Sequence, residues 1–414
     1  MSTPGTAPVN IAGAAQQPRF AALPPLSLYV HVPWCVRKCP YCDFNSHEVR
    51  GEVPQTAYVE ALLTDLELAL PGIWGRKVHT IFIGGGTPSL FDAGAIDALL
   101  SGIRARVPVV PDAEVTLEAN PGTFERQRFA GFYAAGVNRL SLGIQSFAPH
   151  QLAALGRIHD ADEARRAAES ALMIFGNVNL DIMYALPGQA PDDALRDAAT
   201  AIAFGAPHLS FYQLTLEPNT LFHRNPPPVP DDDTAADIED AVHAALAHAG
   251  YVRYETSAFA REARQSRHNV NYWRFGDYLG IGAGAHSKIS FADKVERELR
   301  WKQPAQYMRE VAAGTPLQEQ SRVTRDDMAF EFMLNALRLT DGVPSHLFAE
   351  RTGYPLAIAA RGIAEATRRG LLDDDPAWLR PTPLGRRFLT DLQALFLPAT
   401  RATPSTRITV HAAP

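Results

Sequence analysis

The sequence predicts an α/β protein with an open, partial (β/α)6 barrel and a small C-terminal winged-helix-like α+β domain. Short β-rich runs alternate with helical stretches from residue 26 to 215, which favours a parallel sheet with right-handed crossovers. Six such units are too few to close an eight-stranded barrel. Residues 322–397 read as helices with two short strands between them, an order that resembles a winged helix without a basic face.

The barrel elements follow from local pattern. The first strand is bounded by prolines, and the helix after it places Tyr58, Leu62 and Leu66 one turn apart. The strands are predicted at 26–32, 78–83, 114–119, 138–146, 178–183 and 208–214. The helices are predicted at 56–70, 124–135, 160–175 and 192–204.

The remaining segments have different compositions. Residues 216–321 are predicted to be an extension of the barrel, with a proline-rich loop, an Asp-started helix to about 249 and a strand at 251–254. In the C-terminal domain the helices are predicted at 326–339, 345–352, 356–369 and 384–397, and the strands at 370–372 and 378–382. Residues 1–25 and 398–414 are predicted to be disordered tails.

The composition argues against a nucleic-acid-binding or membrane-spanning protein. The chain has 414 residues, 46% of them hydrophobic, and a net charge of −6, so there is no basic field for a nucleic-acid backbone. No apolar run approaches the length needed to span a bilayer, and because the N-terminus has no basic region followed by a continuous apolar one, we expect no signal peptide. The three cysteines indicate a reducing, cytoplasmic setting.

All three cysteines lie in one loop after the first predicted strand, as Cys35, Cys39 and Cys42. An odd number within eight residues excludes an intramolecular disulfide framework, whereas thiolates suit soft metals and iron–sulfur clusters. Structural zinc needs a fourth ligand, for which His31 and His47 are candidates. A four-iron cluster on three cysteines instead leaves one iron open to a small molecule, and the sequence favours this second interpretation.

Polar and glycine residues recur where the later strands end. The glycine triplet 84–86 exposes backbone to a close ligand, although a tight turn explains such a triplet equally well. Glu118, Gln145 and Asp181 end three further strands, and Arg157 lies in the loop after the fourth strand. Each has an ordinary structural explanation, but their shared position at one rim favours ligand contacts.

A second group of residues includes candidates for binding haem. His268 and His286 are candidate haem-iron ligands, and Tyr272 with Trp273 could pack on a flat macrocycle. From chemistry alone, a structural role is favoured, in which His268 and Asn269 satisfy backbone groups beneath the barrel.

These motifs together resemble the oxygen-independent coproporphyrinogen III oxidase-like family of radical S-adenosylmethionine (SAM) proteins, over residues 26–395. The matching motifs are Tyr29-x-His31-x-Pro33-x-Cys35, Cys39-x-Tyr41-Cys42-Asp43-Phe44, Gly84-Gly85-Gly86-Thr87-Pro88, Glu118-x-Asn120-Pro121, Gly143-Ile144-Gln145-Ser146-Phe147, Leu155-Gly156-Arg157 and His268-Asn269-x-x-Tyr272-Trp273.

The resemblance implies a [4Fe–4S] cluster on Cys35, Cys39 and Cys42, with SAM chelating the open iron. The implied SAM contacts are Tyr29, Tyr41, Gly85, Gly86, Thr87, Glu118, Gln145, Arg157 and Asp181. In the oxidase branch of the family, one electron from the cluster cleaves SAM to a radical that starts decarboxylation of a porphyrinogen propionate.

One difference from the oxidases favours another branch of the same family. The oxidases carry a fourth cysteine where this chain has Phe44, and the chaperone branch carries the His268-Asn269-x-x-Tyr272-Trp273 motif, in which His268, Asn269 and Tyr272 are the implied haem contacts. The resemblance therefore implies a haem chaperone that loads apo-haemoproteins, among them membrane respiratory enzymes reached at the inner face of the membrane. A radical SAM enzyme of porphyrin metabolism and a zinc-stabilised scaffold remain the alternatives.

Overall fold

The protein, seen in a computed structural model that describes residues 17–122 and 125–398, forms two compact units. The larger consists of Leu23–Phe291 and Val295–Arg322, and the smaller of the described parts of Met1–Ala22, Ala292–Lys294 and Val323–Pro414. Of the predicted disordered tails, residues 1–16 and 399–414 lie outside the described residues.

The larger unit is built on one twelve-stranded sheet and one short separate strand pair. Its strands are β1 (Leu26–Val32), β2 (Trp34–Cys35), β3 (His47–Glu48), β4 (Val78–Gly85), β5 (Val109–Ala119), β6 (Arg139–Gln145), β7 (Val178–Tyr184), β8 (His208–Gln213), β9 (Val252–Glu255), β10 (Ala258–Ala260), β11 (Asp277–Ile281), β12 (His286–Ser290), β13 (Val295–Arg300) and β14 (Leu317–Arg322). The sheet order is β14-β13-β12-β11-β1-β4-β5-β6-β7-β8-β10-β9, and β2 pairs with β3. The run from β11 to β8 is parallel, and the strands beyond it on both sides are antiparallel.

Helices connect the parallel strands. They are α1 (Gln55–Ile73), α2 (Ala93–Arg106), α3 (Glu125–Ala134), α4 (Pro149–Ala154), α5 (Ala161–Ile174), α6 (Pro191–Phe204), α7 (Leu221–Arg224), α8 (Asp232–His248), α9 (Arg267–Trp273) and α10 (Pro304–Ala312). The start of α5 illustrates why a helix could be predicted from the local sequence: Asp160 and Glu163 form a reciprocal capping box at its N-terminus. Within the described residues, no helix combines the length and apolar character that a membrane span requires.

The predicted six-stranded core is confirmed. The predicted strands correspond to β1, β4, β5, β6, β7 and β8, which lie side by side in chain order. The sequence did not indicate α2, nor that β11 to β14 extend the sheet beyond β1. The segment predicted as an extension of the barrel therefore contributes strands at both ends of the same sheet.

The interior of the barrel is polar and internally hydrogen-bonded. Thr80 Oγ1 donates to Ser27 Oγ at 2.8 Å across the neighbouring strands β4 and β1. Further round the sheet, Asn179 Nδ2 donates to Ser141 Oγ and to Asp181 Oδ1 at 2.8 and 2.9 Å. Because alternate side chains of a strand face opposite sides, the apolar neighbours of these residues pack against the helices outside.

The smaller unit consists of α11 (Arg325–Ala336), β15 (Val343–Pro344), α12 (Leu347–Thr352), a 3₁₀ turn (Leu356–Ala359), α13 (Ala360–Arg368), β16 (Trp378–Leu379), α14 (Pro383–Arg387) and α15 (Leu389–Ala394). Phe332 and Phe348 pack edge to face in its core, with ring centroids 4.9 Å apart.

Two details of this unit differ from the prediction. The expected strands 370–372 and 378–382 meet only through one bridge, Leu372 with Pro381, whereas β16 pairs with β15. The helix expected at 384–397 is divided at Phe388, whose backbone is not helical.

Candidate functional site

A cavity of about 540 Å³ opens at the edge of the sheet where the central parallel strands end. This volume is typical of small-molecule sites. Its lining includes most of the predicted cluster and SAM contacts: Cys35, Cys39, Cys42, Tyr41, Gly85, Gly86, Thr87, Glu118, Gln145, Arg157 and Asp181. Residues that are far apart in sequence are thus brought to one site by the parallel topology.

Tyr29 is the one predicted SAM contact that does not line this cavity. Its hydroxyl hydrogen-bonds His31 Nδ1 at 2.9 Å, and its ring stacks on Phe82. The other ring nitrogen of His31 donates to the Asn45 carbonyl oxygen at 2.9 Å. Both nitrogens are therefore engaged, which argues against His31 as the fourth ligand of a zinc site.

The cysteine loop begins and ends in paired backbone. β2 and β3 align Trp34 with His47 and Cys35 with Glu48, which ties the start of the loop to its end. The three cysteines are unpaired, and burial raises the pKa of the Cys35 thiol. The described residues contain no group of three His, Cys, Asp or Glu side chains arranged around a single metal ion.

A chain of hydrogen bonds joins two of the sulfurs through side chains from three separate loops. Thr87 Oγ1 donates to Cys35 Sγ at 3.5 Å, and Asn120 Nδ2 donates to Thr87 Oγ1 at 3.0 Å. Arg157 donates through Nη2 to Asn120 Oδ1 at 2.6 Å and through Nη1 to Cys39 Sγ at 3.5 Å. This chain of hydrogen bonds therefore fixes the positions of two of the three sulfurs relative to the loops after β4, β5 and β6.

Two carboxyl groups that line the cavity, those of Glu118 and Asp181, interact electrostatically. Burial and the nearby Asp181 raise the pKa of Glu118 to about 7, although the Gly85 backbone N–H donates to its Oε2 at 3.0 Å. Burial also raises the pKa of Asp181, which accepts from Ser141 Oγ at 2.9 Å. Such a pair attracts a cationic ligand, because a positive charge offsets the cost of ionising both groups.

The glycine triplet allows β4 to approach the cysteine loop closely. A Cβ on Gly86 would lie 2.5 Å from the Trp34 carbonyl oxygen, and one on Gly85 would lie 2.6 Å from His31 Cε1. Gly85 also has φ of +116°, a conformation that favours glycine. The Gly86 and Thr87 backbone N–H groups donate to the carbonyl oxygens of Val32 and Trp34, respectively, both at 2.7 Å. The triplet thus packs against the start of the cysteine loop and also lines the cavity.

Sequence reasoning missed several polar residues of the site. Tyr212, at the end of β8, donates to Gln145 Oε1 at 2.6 Å. Gln145 itself adopts a φ of +70°, which is strained for a residue other than glycine and is typical of functional sites. Asn120 belonged to a quoted motif but not to the predicted contacts, and Ser141 gave no sequence signal because it lies within a run predicted as a strand.

The residues predicted to contact haem lie elsewhere. His268 is 1% exposed on α9 beneath the barrel and does not line the cavity that holds the cysteines. The Glu114 carboxylate accepts its backbone N–H, and its Nδ1 is hydrogen-bonded to Thr80 at 2.8 Å. Burial lowers the pKa of His268 to about 3. This environment matches the structural alternative, and the haem contact stays a prediction.

Of the other members of that group, Asn269, Tyr272 and Trp273 lie on the same helix as His268. Tyr272 contacts the His268 ring with centroids 5.0 Å apart, and the Asn269 backbone N–H donates to Ser266 Oγ at 3.3 Å. His286 begins β12 and is exposed. His286 does not line the cavity that holds the cysteines.

The comparisons with known proteins agree with this geometry. Residues 29–201 match the Radical SAM superfamily, and residues 323–388 match the HemN C-terminal domain. The fold is similar to the solved structure titled as coproporphyrinogen III oxidase (HemN) from Escherichia coli, a radical SAM enzyme, with a TM-score of 0.77, 25% identity and 90% of each chain covered. Fold and site together define a radical SAM protein.

Similarity to curated proteins indicates which family of radical SAM proteins the chain belongs to. The chain is 49% identical to Heme chaperone HemW of Escherichia coli, covering 91% of this chain and 99% of that protein. It is 46% identical to Heme chaperone HemW of Haemophilus influenzae over 91% of this chain and 98% of the relative. The chain therefore belongs to the HemW family of radical SAM proteins.

Proposed function

We propose that the protein is a haem chaperone, which binds haem and transfers it to apo-haemoproteins, and that it carries a [4Fe–4S] cluster and SAM. One observation carries the proposal: a cavity lined by three cysteines, two glycines and two half-buried carboxyl groups occurs in a chain 49% identical to Heme chaperone HemW. The match spans almost the whole folded chain rather than the barrel alone.

Cys35, Cys39 and Cys42 would hold the cluster. The chain has three cysteines, so the donor set suits a cluster with one iron free for a small molecule. When bound, the cluster and SAM supply a one-electron donor next to a sulfonium. Thr87 and Arg157 donate to two of the three sulfurs, which compensates part of the negative charge of a thiolate-bound cluster.

The remaining cavity residues would hold SAM. Glu118 and Asp181 provide negative charge for a ligand that carries a sulfonium and an ammonium group. Gly85 and Gly86 offer backbone without side chains, and Thr87, Gln145, Arg157 and Tyr41 border the same space. Tyr29 would act as a positioning residue, since it contacts His31 rather than the cavity.

Phe44 favours the chaperone over the oxidase. It stands where the oxidases carry a fourth cysteine, it lines the mouth of the cavity and it is 60% exposed. A phenyl ring has no acid–base or redox chemistry to contribute there.

The acceptors we propose are apo-haemoproteins of the respiratory chain, met in the cytoplasm at the inner face of the membrane. Three unpaired cysteines fit a reducing compartment. Oxygen-independent coproporphyrinogen III decarboxylation is the second candidate, supported by the similarity of fold to the HemN structure.

Anaerobic reconstitution followed by haem titration and transfer to an apo-acceptor separates these functions. The proposal expects one haem per chain, transfer to apo-cytochrome, and no coproporphyrinogen decarboxylation. Cys35→Ser serves as the matched variant with an altered cluster. Failure to bind haem would contradict the proposal, and decarboxylation with stoichiometric 5′-deoxyadenosine would establish the second candidate instead.

A further inference from the structure

The loop between α4 and α5, residues 155–160, carries a histidine that the proposed SAM site does not use. His159 is 5% exposed, and it lines the same cavity as Glu118 and Asp181. It was not among the contacts that the family resemblance implies. A buried titratable side chain that lines a ligand cavity is a candidate for a contact with that ligand.

The backbone is held in place on both sides of His159. Before it, Arg157 Nη2 donates to the Gly143 carbonyl oxygen at 2.9 Å, which ties the loop to β6. After it, the Asp160 side chain accepts the Glu163 backbone N–H at 2.8 Å and caps α5. A side chain on such a fixed segment has a defined position, as a ligand contact requires.

Only one ring nitrogen of His159 is used within the protein. Nε2 lies 3.1 Å from the Ile144 carbonyl oxygen, and because a carbonyl only accepts, Nε2 carries the proton. Nδ1 is therefore an acceptor. In the part of the chain that the structure describes, Nδ1 has no hydrogen-bond partner, and in contrast to the unpaired Nε2 of His268 it retains accessible surface.

The imidazole of His159 is neutral at physiological pH. Burial and the neighbouring Arg157 guanidinium lower the pKa of His159 to about 4. Nδ1 thus offers a lone pair without a net charge. In this it differs from Glu118 and Asp181, whose negative charge suits the sulfonium and ammonium groups of SAM.

A neutral acceptor fits the uncharged part of SAM. The adenosine moiety has three kinds of donor, which are the exocyclic amine of adenine and the 2′- and 3′-hydroxyls of the ribose. An acceptor that is shielded from water by the bound ligand must find a donor, because leaving it unpaired is costly. The same cost makes such an acceptor selective against ligands that lack the donor.

We propose that His159 Nδ1 accepts a hydrogen bond from the adenosine moiety of SAM, given by the adenine amine or by a ribose hydroxyl. The bond from Nε2 to the Ile144 carbonyl oxygen sets the tautomer that this contact requires. The inference rests on the proposed SAM cofactor and adds a residue to its site. The competing explanation is a structural role, in which the bond to Ile144 alone accounts for His159.

Two conservative variants separate the roles of the two nitrogens. In His159→Gln the side-chain amide reaches the position of Nε2, so the bond to Ile144 is kept and the acceptor is lost. In His159→Asn the amide oxygen takes the position of Nδ1, so the acceptor is kept and the bond to Ile144 is lost. We expect His159→Gln to weaken SAM binding by about three- to tenfold, and His159→Asn by less than about twofold although its urea midpoint falls.

Calorimetric titration of the reconstituted full chain with SAM and three analogues identifies the donor. The analogues are S-inosylmethionine, which lacks the adenine amine, and the 2′-deoxy and 3′-deoxy forms of SAM. For one analogue, the preference of the wild type for SAM shrinks by about three- to tenfold in His159→Gln, because the acceptor for the missing donor is gone. His79→Asn, which changes an exposed histidine of β4, leaves every affinity unchanged.

The outcomes separate this inference from the proposed cofactor. If the wild-type chain assembles its cluster and binds no SAM, the SAM proposal itself fails. If the wild type binds SAM and His159→Gln shows the same preference over all three analogues, His159 does not contact adenosine. Equal losses for SAM and every analogue in both variants, or a His159→Gln chain that no longer assembles the cluster, would assign His159 the structural role instead.

Discussion

The most specific prediction concerns the raised pKa of Glu118 and its effect on stability and SAM binding. Burial and Asp181 raise its pKa from an ordinary value of 4.5 to about 7. At about 1.4 kcal/mol per pH unit, ionising Glu118 in the ligand-free cavity costs about 3 kcal/mol more than ionising it in the unfolded chain. Because the folded pKa is the higher one, this contribution to stability is complete below about pH 4.5 and is lost as the pH rises through about 7.

Glu118→Gln removes this cost while preserving an acceptor for the Gly85 N–H. Relative to the wild type, the ligand-free variant therefore gains stability as the pH rises from 5 to 8, by up to about 3 kcal/mol. The same change weakens SAM binding, because the cationic ligand loses a negative partner. In the wild type, affinity for SAM falls about tenfold between pH 8 and pH 6, since binding requires the ionised carboxylate.

Urea unfolding of the ligand-free chain at several pH values measures the first effect, and calorimetric titration of the reconstituted protein with SAM measures the second. Glu60→Gln, which neutralises an exposed carboxylate of α1, is the matched control and changes neither. A difference in unfolding free energy between Glu118→Gln and wild type that is equal at pH 5 and pH 8 would refute the reasoning.

Three further predictions concern the loop and the scaffold. Cys39→Ser abolishes the iron–sulfur absorbance after anaerobic reconstitution, and retention of a full cluster would exclude this residue as a ligand. Gly86→Ala destabilises the fold by about 1–3 kcal/mol in urea unfolding, because its Cβ would lie 2.5 Å from the Trp34 carbonyl oxygen; an unchanged midpoint would show that the loop yields. Asp277→Asn costs about 3–5 kcal/mol, since it leaves Lys288, 1% exposed and 2.8 Å away, without its charge partner; a loss below 1 kcal/mol would contradict this.

Much of the core was predictable because the end of each strand is visible in the local sequence. The six parallel strands carry apolar runs that stop at glycine or polar residues, and the parallel topology then brings Glu118, Gln145 and Asp181 to one rim. The resemblance to the family supplied the roles of these residues, and the structure added the contacts that their side chains make. Tyr212 was not foreseen, since a tyrosine at a strand end is far more often packing than a partner of a strained glutamine.

The antiparallel extension was not predictable from local pattern. β13 and β14 are rich in Glu, Gln and Arg, a composition that is typical of loops, although it suits an edge strand such as β14. β11 begins at Asp277, a fully buried carboxylate whose charge is paired with Lys288 and Arg76 and which also accepts hydrogen bonds from Ser290. The same limit applies to His268, because its burial depends on contacts with Thr80 and Phe82 from a strand far away in sequence.

The central claim is that three cysteines hold a cluster with one open iron facing the cavity. Electron paramagnetic resonance of the reduced, reconstituted protein, recorded with and without SAM, tests it most directly. We expect about four irons per chain and a spectrum that changes when SAM is added. A chain that takes up zinc but no iron and sulfide, or a cluster whose spectrum does not respond to SAM, would contradict the account.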